Sequence, residues 1–218
     1  MGEWDTAYGT LAAPAANDDL LIRDVSATPP SGGTIKRVTP TVLLGPTLWP
    51  SGDTSGTADA AALNAAFTAI GTSSATLTLM PGAWYWKPGA VSAIQLANSQ
   101  TLVIDGRFGA IVNAVSGSAG DMLRMFNPAS QPQGSPGNIF SLRSGVRGLT
   151  IDGTNATAGS SGLHIGDMMN AQVDVIIRNF NGAGDIGLHL DNSVSWTEEG
   201  DIRAALLNCT QHVVFEVT

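Results

Sequence analysis

From residue 75 to its last residue, the chain alternates between short apolar runs and clusters of Gly, Asn, Asp and Ser. Runs of this length, bounded by turn-forming residues, are typical of β-strands and too short for helices. The predicted strands are 75–80, 93–97, 101–106, 121–126, 148–153, 162–167, 173–180, 187–192, 204–210 and 213–218. The pattern therefore predicts an all-β region.

These runs recur at a nearly constant interval. GLHIGD begins at Gly162, GLHLDN begins 25 residues later at Gly187, and a further apolar run begins at Val213, 26 residues after Gly187. A second series of apolar positions advances by similar steps: Ile151, Ile177 and Leu207. Two strand series that advance together predict a single-stranded parallel β-helix, in which each coil contributes one strand to each wall. At about 25 residues per coil, residues 75–218 predict about five or six coils.

Residues 51–74 show a helical period instead. Apolar side chains follow one another at helical spacing: Leu63, Phe67 and Ile70. Thr57 is the predicted N-cap, Asp59 lies in the first turn, where a negative charge suits the helix dipole, and Gly71 is the predicted end. The segment therefore predicts one amphipathic helix.

Residues 1–50 differ from the rest, because they hold six of the eleven prolines. Two strand-like runs, 19–25 and 34–38, flank a Pro-Pro-Ser-Gly-Gly turn and predict a β-hairpin. A lone hairpin is marginally stable in water, so this segment is predicted to need further copies of itself or a docking protein. The predicted domain boundaries are 1–50, 51–74 and 75–218.

The motif GAGDIG at 182–187 has the G-x-G-x-x-G form of a dinucleotide-binding loop. Such a loop joins a strand to a helix, whose N-terminus binds the phosphates. The residues that follow, LHLDN, belong to the strand series and have no helical period. We therefore interpret the glycines as a corner between two strands and predict no cofactor.

The net charge of −8 and the pI near 4.6 leave no basic stripe, so nucleic acid is not a predicted partner. The acidic balance argues against docking on anionic lipid, and no run approaches 18 apolar residues, so membrane insertion is not predicted. The first residues, MGEWDTAYGTLAAPAANDD, lack the basic and apolar regions of a signal peptide. Cys209 is the only cysteine and is predicted to be a buried small residue.

Three stretches in the first half of the solenoid region carry a resemblance to a known family. GDTSGTADAAALNAAFTAI, ATLTLMPGAWYW and SQTLVIDGRFGAIV resemble the entry to the pectate-lyase-like right-handed β-helix, with its capping helix. GLHLDNSVSWTEEGDIRAALLNCTQHVVF is similar to tail spike and tail appendage proteins of bacteriophages. DLLIRDVSATPPSGGTIKRVT resembles the short segment by which such fibres attach to a tail or baseplate, and contractile injection systems use the same parts.

The resemblance implies a homotrimer of β-helices that lie side by side. It implies docking on a tail or baseplate protein through residues 1–50, in a virion or phage-like tail assembled in the bacterial cytoplasm. The docking candidates are Trp4, Tyr8, Leu21, Ile22, Ile35 and Trp49. Spikes of this family continue for more coils, so the apolar final run VVFEVT predicts either a proximal part of a longer fibre or an end covered by another chain.

The same resemblance leaves an enzymatic alternative, a depolymerase that acts as a glycoside hydrolase or lyase on a host-surface polysaccharide. Glycosidases need two carboxylates about 5 to 10 Å apart. The candidates are Asp185, Asp191, Glu198 and Glu199, for which turn and solvent-facing roles are the competing interpretation. A secreted plant-polysaccharide lyase is disfavoured by the lack of a signal peptide and by the docking segment.

Aromatic and histidine residues provide the other candidates. The aromatic side chains that could contact a glycan or a neighbouring protomer are Trp84, Tyr85, Trp86 and Trp196. His164 and His189 occupy equivalent positions in successive repeats, so they are predicted to stack about 5 Å apart and to face outward. No third ligand has suitable spacing, so we predict no metal site.

Overall fold

The computed structural model describes residues 20–23, 35–38, 45–97, 100–127, 143–168, 170–192 and 200–217, and the chain forms two compact units, Met1–Gly45 and Pro46–Thr218. In the first unit, β1 (Leu20–Arg23) and β2 (Ile35–Val38) are described through their backbone alone. They pair antiparallel, with Leu20 opposite Val38, which confirms the predicted hairpin.

The second unit is a parallel β-solenoid of about five turns with one helix, α1 (Thr57–Ile70). This architecture confirms the predicted fold class. The strands are β3 (Thr47–Leu48), β4 (Ala75–Leu79), β5 (Gly82–Trp86), β6 (Ile94–Gln95), β7 (Leu102–Ala114), β8 (Asp121–Phe126), β9 (Gly145–Asp152), β10 (Ser161–Gly166), β11 (Gln172–Arg178), β12 (Ile186–Asn192), β13 (Asp201–Leu207) and β14 (Gln211–Val217).

Two parallel sheets form the walls of the solenoid. The larger has the order β13-β11-β9-β7-β4-β3, and β5 pairs with the second half of β7. The smaller has the order β14-β12-β10-β8-β6. From β7 onward, successive strands alternate between the two sheets, as the two interleaved series predicted.

Strand register confirms most of the predicted stacking and corrects one step. Leu163 lies opposite Leu188, and Leu188 lies opposite Val213, so this series advances by 25 residues. Ile177, however, pairs with Leu206 and not with Leu207. A one-residue shift moves a side chain to the other face of a sheet, and Leu207 accordingly points outward and is 54% exposed.

Helix α1 packs on the start of the solenoid through Leu63 and Ile70, which are buried, and its chain direction ends at Gly71, with φ 54. Its N-terminus differs from the prediction, because Thr57 makes no capping hydrogen bond. Asp53 Oδ2 accepts the Ala58 N–H at 3.0 Å instead, and this bond, with those from Ser55, lowers the pKa of Asp53 to about 2. Within the described ranges, no helix is long and apolar enough to cross a membrane.

Asp59 is fully buried at the helix start and connects the helix to the solenoid. Its two carboxylate oxygens accept backbone N–H groups from Ser51 and Tyr85, each at 2.8 Å. Hydrogen bonds compensate the cost of burying this carboxylate. Asp59 therefore holds α1 against β5, a role more specific than the helix-dipole contribution predicted for it.

The GAGDIG segment is a corner that leads directly into a strand. Gly184 has φ 76, and β12 begins two residues later, with Gly187 inside it. A Cβ at Gly187 would lie 2.9 Å from the backbone oxygen of His212, so this position requires glycine for close packing between coils. The strand that follows confirms the corner interpretation.

Candidate functional site

The main polar cluster of the described solenoid lies on the outer face of the smaller sheet. Its side chains alternate with core residues such as Leu163 and Ile165, both 0% exposed, so they point away from the core. Strand register places one row outward as Arg124, His164, His189 and Val214, and the next as Phe126, Gly166, Asp191 and Glu216.

His164 is the centre of this cluster. Its Nδ1 lies 3.0 Å from Asp121 Oδ2, and its Nε2 lies 3.0 Å from Asp191 Oδ2. Its ring stacks on His189, with centroids 4.0 Å apart and planes inclined by 21°. The predicted stacking is confirmed, but the prediction of an outward-facing ladder was incomplete, because His164 is only 6% exposed.

Electrostatics favour a charged His164. Burial lowers its pKa, but the hydrogen bond and charge of Asp121 and the hydrogen bond of Asp191 outweigh burial, so the pKa of His164 is raised above 6.5. Burial raises the pKa of Asp121, but the hydrogen bond and charge of His164 outweigh it, so the net pKa falls below 3.8. The arrangement is an imidazolium held between two carboxylates.

These opposite shifts predict a stability maximum at mildly acidic pH. The His164 contribution is full below pH 6.5 and is lost as pH rises through the raised pKa, whereas the Asp121 contribution is full above pH 3.8 and is lost as pH falls through the lowered pKa. Urea midpoints measured across this range should decline on the alkaline side in the wild-type protein. A His164→Leu variant that shows the same alkaline decline would contradict the assignment.

The edges of the cluster are more open. Arg124 Nη2 lies 4.0 Å from Asp191 Oδ2, and its guanidinium carbon lies 4.9 Å from the centroid of the Phe126 ring, a cation–π geometry. His189 Nε2 lies 3.3 Å from Glu216 Oε2 without hydrogen-bond geometry. The cluster therefore connects four successive strands of the sheet, from β8 to β14.

Similar pairing occurs on the larger sheet. Arg147 Nη2 donates to Asp105 Oδ2 at 2.9 Å, between β9 and β7. Arg178 Nε donates to Asp152 Oδ2 at 2.8 Å, between β11 and β9. Burial raises the pKa of Asp152, but its hydrogen bonds, chiefly from Thr154, outweigh this and lower it. Both sheets thus carry polar contacts that link one coil to the next.

The predicted catalytic pair is not brought together. Asp185 is buried in the corner before β12, where its oxygens accept the Ser160 N–H at 3.0 Å and the Gly182 N–H at 2.8 Å. Asp191 lies six residues further along an extended strand, about 20 Å away. A glycosidase needs its carboxylates within about 10 Å, so the proposed pairing of Asp185 with Asp191 was wrong.

The aromatic candidates have mixed outcomes. Trp84 and Trp86 are 0% exposed, and their ring N–H groups donate to the backbone oxygens of Met80 and Met122 at 3.0 and 2.9 Å. They point into the core because they alternate with Tyr85 along β5, so the prediction that they contact a glycan or protomer was wrong. Tyr85 is half-buried and Trp49 is 68% exposed.

Several candidates lie beyond what the structure describes. Those outside the described residues are Trp4, Tyr8, Trp196, Glu198 and Glu199. Leu21, Ile22 and Ile35 lie in the hairpin, where only the backbone is described. Their proposed roles stay predictions.

Sequence reasoning missed Asp121, Arg124 and Glu216. The step from Leu123 to its partner Leu163 is 40 residues, so the 25-residue period did not align β8 with β10. In the described ranges, no group of three or more His, Cys, Asp or Glu side chains is arranged to hold a metal ion. Cys209 is buried as predicted, and burial raises the pKa of its thiol.

Comparison with protein-family models, curated proteins and solved structures finds no match for this chain.

Proposed function

We propose that this chain is a structural subunit of a phage tail fibre or spike, or of the equivalent part of a contractile injection system. Three copies form a trunk that points towards a host-surface receptor. Residues 1–50 dock the trunk on a tail or baseplate protein. The support comes from the sequence resemblance together with the parallel solenoid of the second unit.

One observation carries the structural role: described polar side chains pair from coil to coil on both walls. Asp105 with Arg147 and Asp152 with Arg178 link strands of the larger sheet. Asp121, His164 and Asp191 link three strands of the smaller sheet. Ionic ladders of this kind resist sliding of one coil over the next, which is the property that a trunk requires.

The depolymerase alternative is less well supported by the described carboxylates. Asp121 and Asp191 are both bonded to His164, and Asp185 is occupied by backbone N–H groups. A hydrolase needs one carboxyl group that releases a proton to the leaving oxygen and another that is open to the sugar or to water. Glu198 and Glu199, outside the described residues, are the carboxylates on which this alternative rests.

Two measurements on the full chain test the proposal. Tail or tail-like particles purified from the producing bacterium should contain the chain in multiples of three copies. Purified protein incubated with capsular polysaccharide should release no new reducing or unsaturated ends. Turnover of the polysaccharide that is lost in a Glu198→Gln or Glu199→Gln variant would favour the enzyme, and particles without the chain would contradict the tail assignment.

A further inference from the structure

The outer face of the larger sheet carries three rows of side chains parallel to the solenoid axis, here called the three-row face. The first row is Asp105, Arg147, Asp174 and Arg203. The middle row is Ala83, Ile111, Thr150, Ile176 and Ala205. The third row is Asn113, Asp152, Arg178 and Leu207. The outer rows are therefore mainly charged, and the middle row is mainly apolar.

The middle row presents apolar side chains to solvent. Ile111 is 36% exposed and Ile176 is 41% exposed. Beside them, at the register shift in β7, Phe108 is 80% exposed with φ 56, a left-handed conformation that costs a non-glycine residue about 1 kcal/mol or more. An exposed phenylalanine in a strained backbone, next to an apolar row, indicates a contact surface.

Neighbouring groups hold Phe108 in this position. Asp105 Oδ1 accepts the Arg107 N–H at 2.9 Å, which fixes the start of the bulge. Gly148, with φ 65, leaves the necessary room, because a Cβ there would lie 2.8 Å from the Phe108 nitrogen. The bulge that presents the ring is thus maintained by residues of two successive coils.

The spacing of the rows identifies a suitable partner. Adjacent members of each row belong to adjacent strands and recur at about 4.8 Å along the solenoid axis. An α-helix repeats its surface at a different interval, about 5.4 Å per turn, and loses register over five strands. A second copy of the same solenoid has the same repeat and matches the rows over their whole length.

Charge supports rotation of copies about an axis parallel to the solenoid. Such a rotation keeps each strand at its level and brings the first row of one copy against the third row of the next. At the level of β9 the rows carry Arg147 and Asp152, and at the level of β11 they carry Asp174 and Arg178. Both levels pair opposite charges between copies, which favours this orientation and register.

We propose that the three-row face is the surface through which copies of this chain associate, with the apolar middle row at the shared axis. The inference rests on the proposed function for the number of copies and for their common direction. The intrachain pairs Asp105–Arg147 and Asp152–Arg178 become parts of longer ionic networks in this arrangement. Cyclic packing of this kind is a closed, symmetric assembly.

Substitution in the middle row tests the face. Ile176→Asp places a charge at an exposed position, so the coil itself should fold, but one carboxylate from each copy would meet at the axis. We expect the dissociation constant of the oligomer to rise at least about 100-fold, measured by sedimentation equilibrium. The matched control is Gln95→Asp, at an exposed position on the smaller sheet, which should leave association unchanged.

Cross-linking tests the direction of the copies. In a Cys209→Ala background, mild oxidation of Ile176→Cys should join copies, because rotation places equal positions at one level, whereas Gln95→Cys should not. Cross-links that form only when Ile111→Cys and Ile176→Cys chains are co-expressed would indicate antiparallel copies and overturn the proposal. A wild-type oligomer unaffected by Ile176→Asp would overturn the face alone, and a monomeric wild-type protein would overturn the fibre proposal as well.

Discussion

Replacing Gly145 with alanine is expected to lower the free energy of unfolding by about 3 kcal/mol or more. Gly145 begins β9 and lies opposite Gln172 of β11. An added Cβ would overlap the backbone carbonyl of Gln172, and backbone cannot rotate away as a side chain can. The two strands would have to separate where Val146 and Val173 fill the core.

Urea denaturation followed by circular dichroism measures this loss. The matched control is Gly117→Ala, where φ is outside the left-handed region and the nearest atom, 3.0 Å from the added Cβ, is on the flexible Lys87 side chain. The control should change stability by less than about 1 kcal/mol. Equal stability of the two variants would contradict the close stacking of β9 on β11.

The His164→Leu variant is expected to lose about 2 to 3 kcal/mol of stability at pH 6. His164 bonds to both Asp121 and Asp191, and leucine can make neither bond. The carboxylates would keep the cost of their burial without the cation that offsets it. The pH profile described above should lose its alkaline decline in the same variant.

His189→Leu is the matched control for this loss. It removes the same ring stack, but the partner of His189 is Glu216, which is 62% exposed at its side chain. An ion pair with an exposed group contributes little, so the control should lose less than about 1 kcal/mol. Comparable losses in the two variants would show that stacking, and not the two carboxylates, stabilises the site.

The architecture was predictable because one short repeat is enough to define a solenoid. GLHIGD and GLHLDN lie at equal positions of adjacent coils, and the 25-residue step from Leu163 to Leu188 continues to Val213. The same reasoning failed where coils differ in length. The step from Ile177 leads to Leu206, 29 residues on, and the predicted position 207 faces solvent.

The candidate site was less predictable, because its contacts depend on register between distant segments. Asp121 and Asp191 lie 43 and 27 residues from His164, and no sequence period joins the three. The burial of Trp84 and Trp86 had a local signal that was not used. An aromatic run in a strand alternates between faces, so a core position for Trp84 implies one for Trp86 and an outward Tyr85.

The mass of the purified full chain in solution tests the central claim, that this solenoid is built to associate with its own copies as a trunk. Sedimentation equilibrium or native mass spectrometry at micromolar concentration should give about 67 kDa, three times the 22.4 kDa of one chain. A single species at the mass of one chain, unchanged on concentration, would contradict the account.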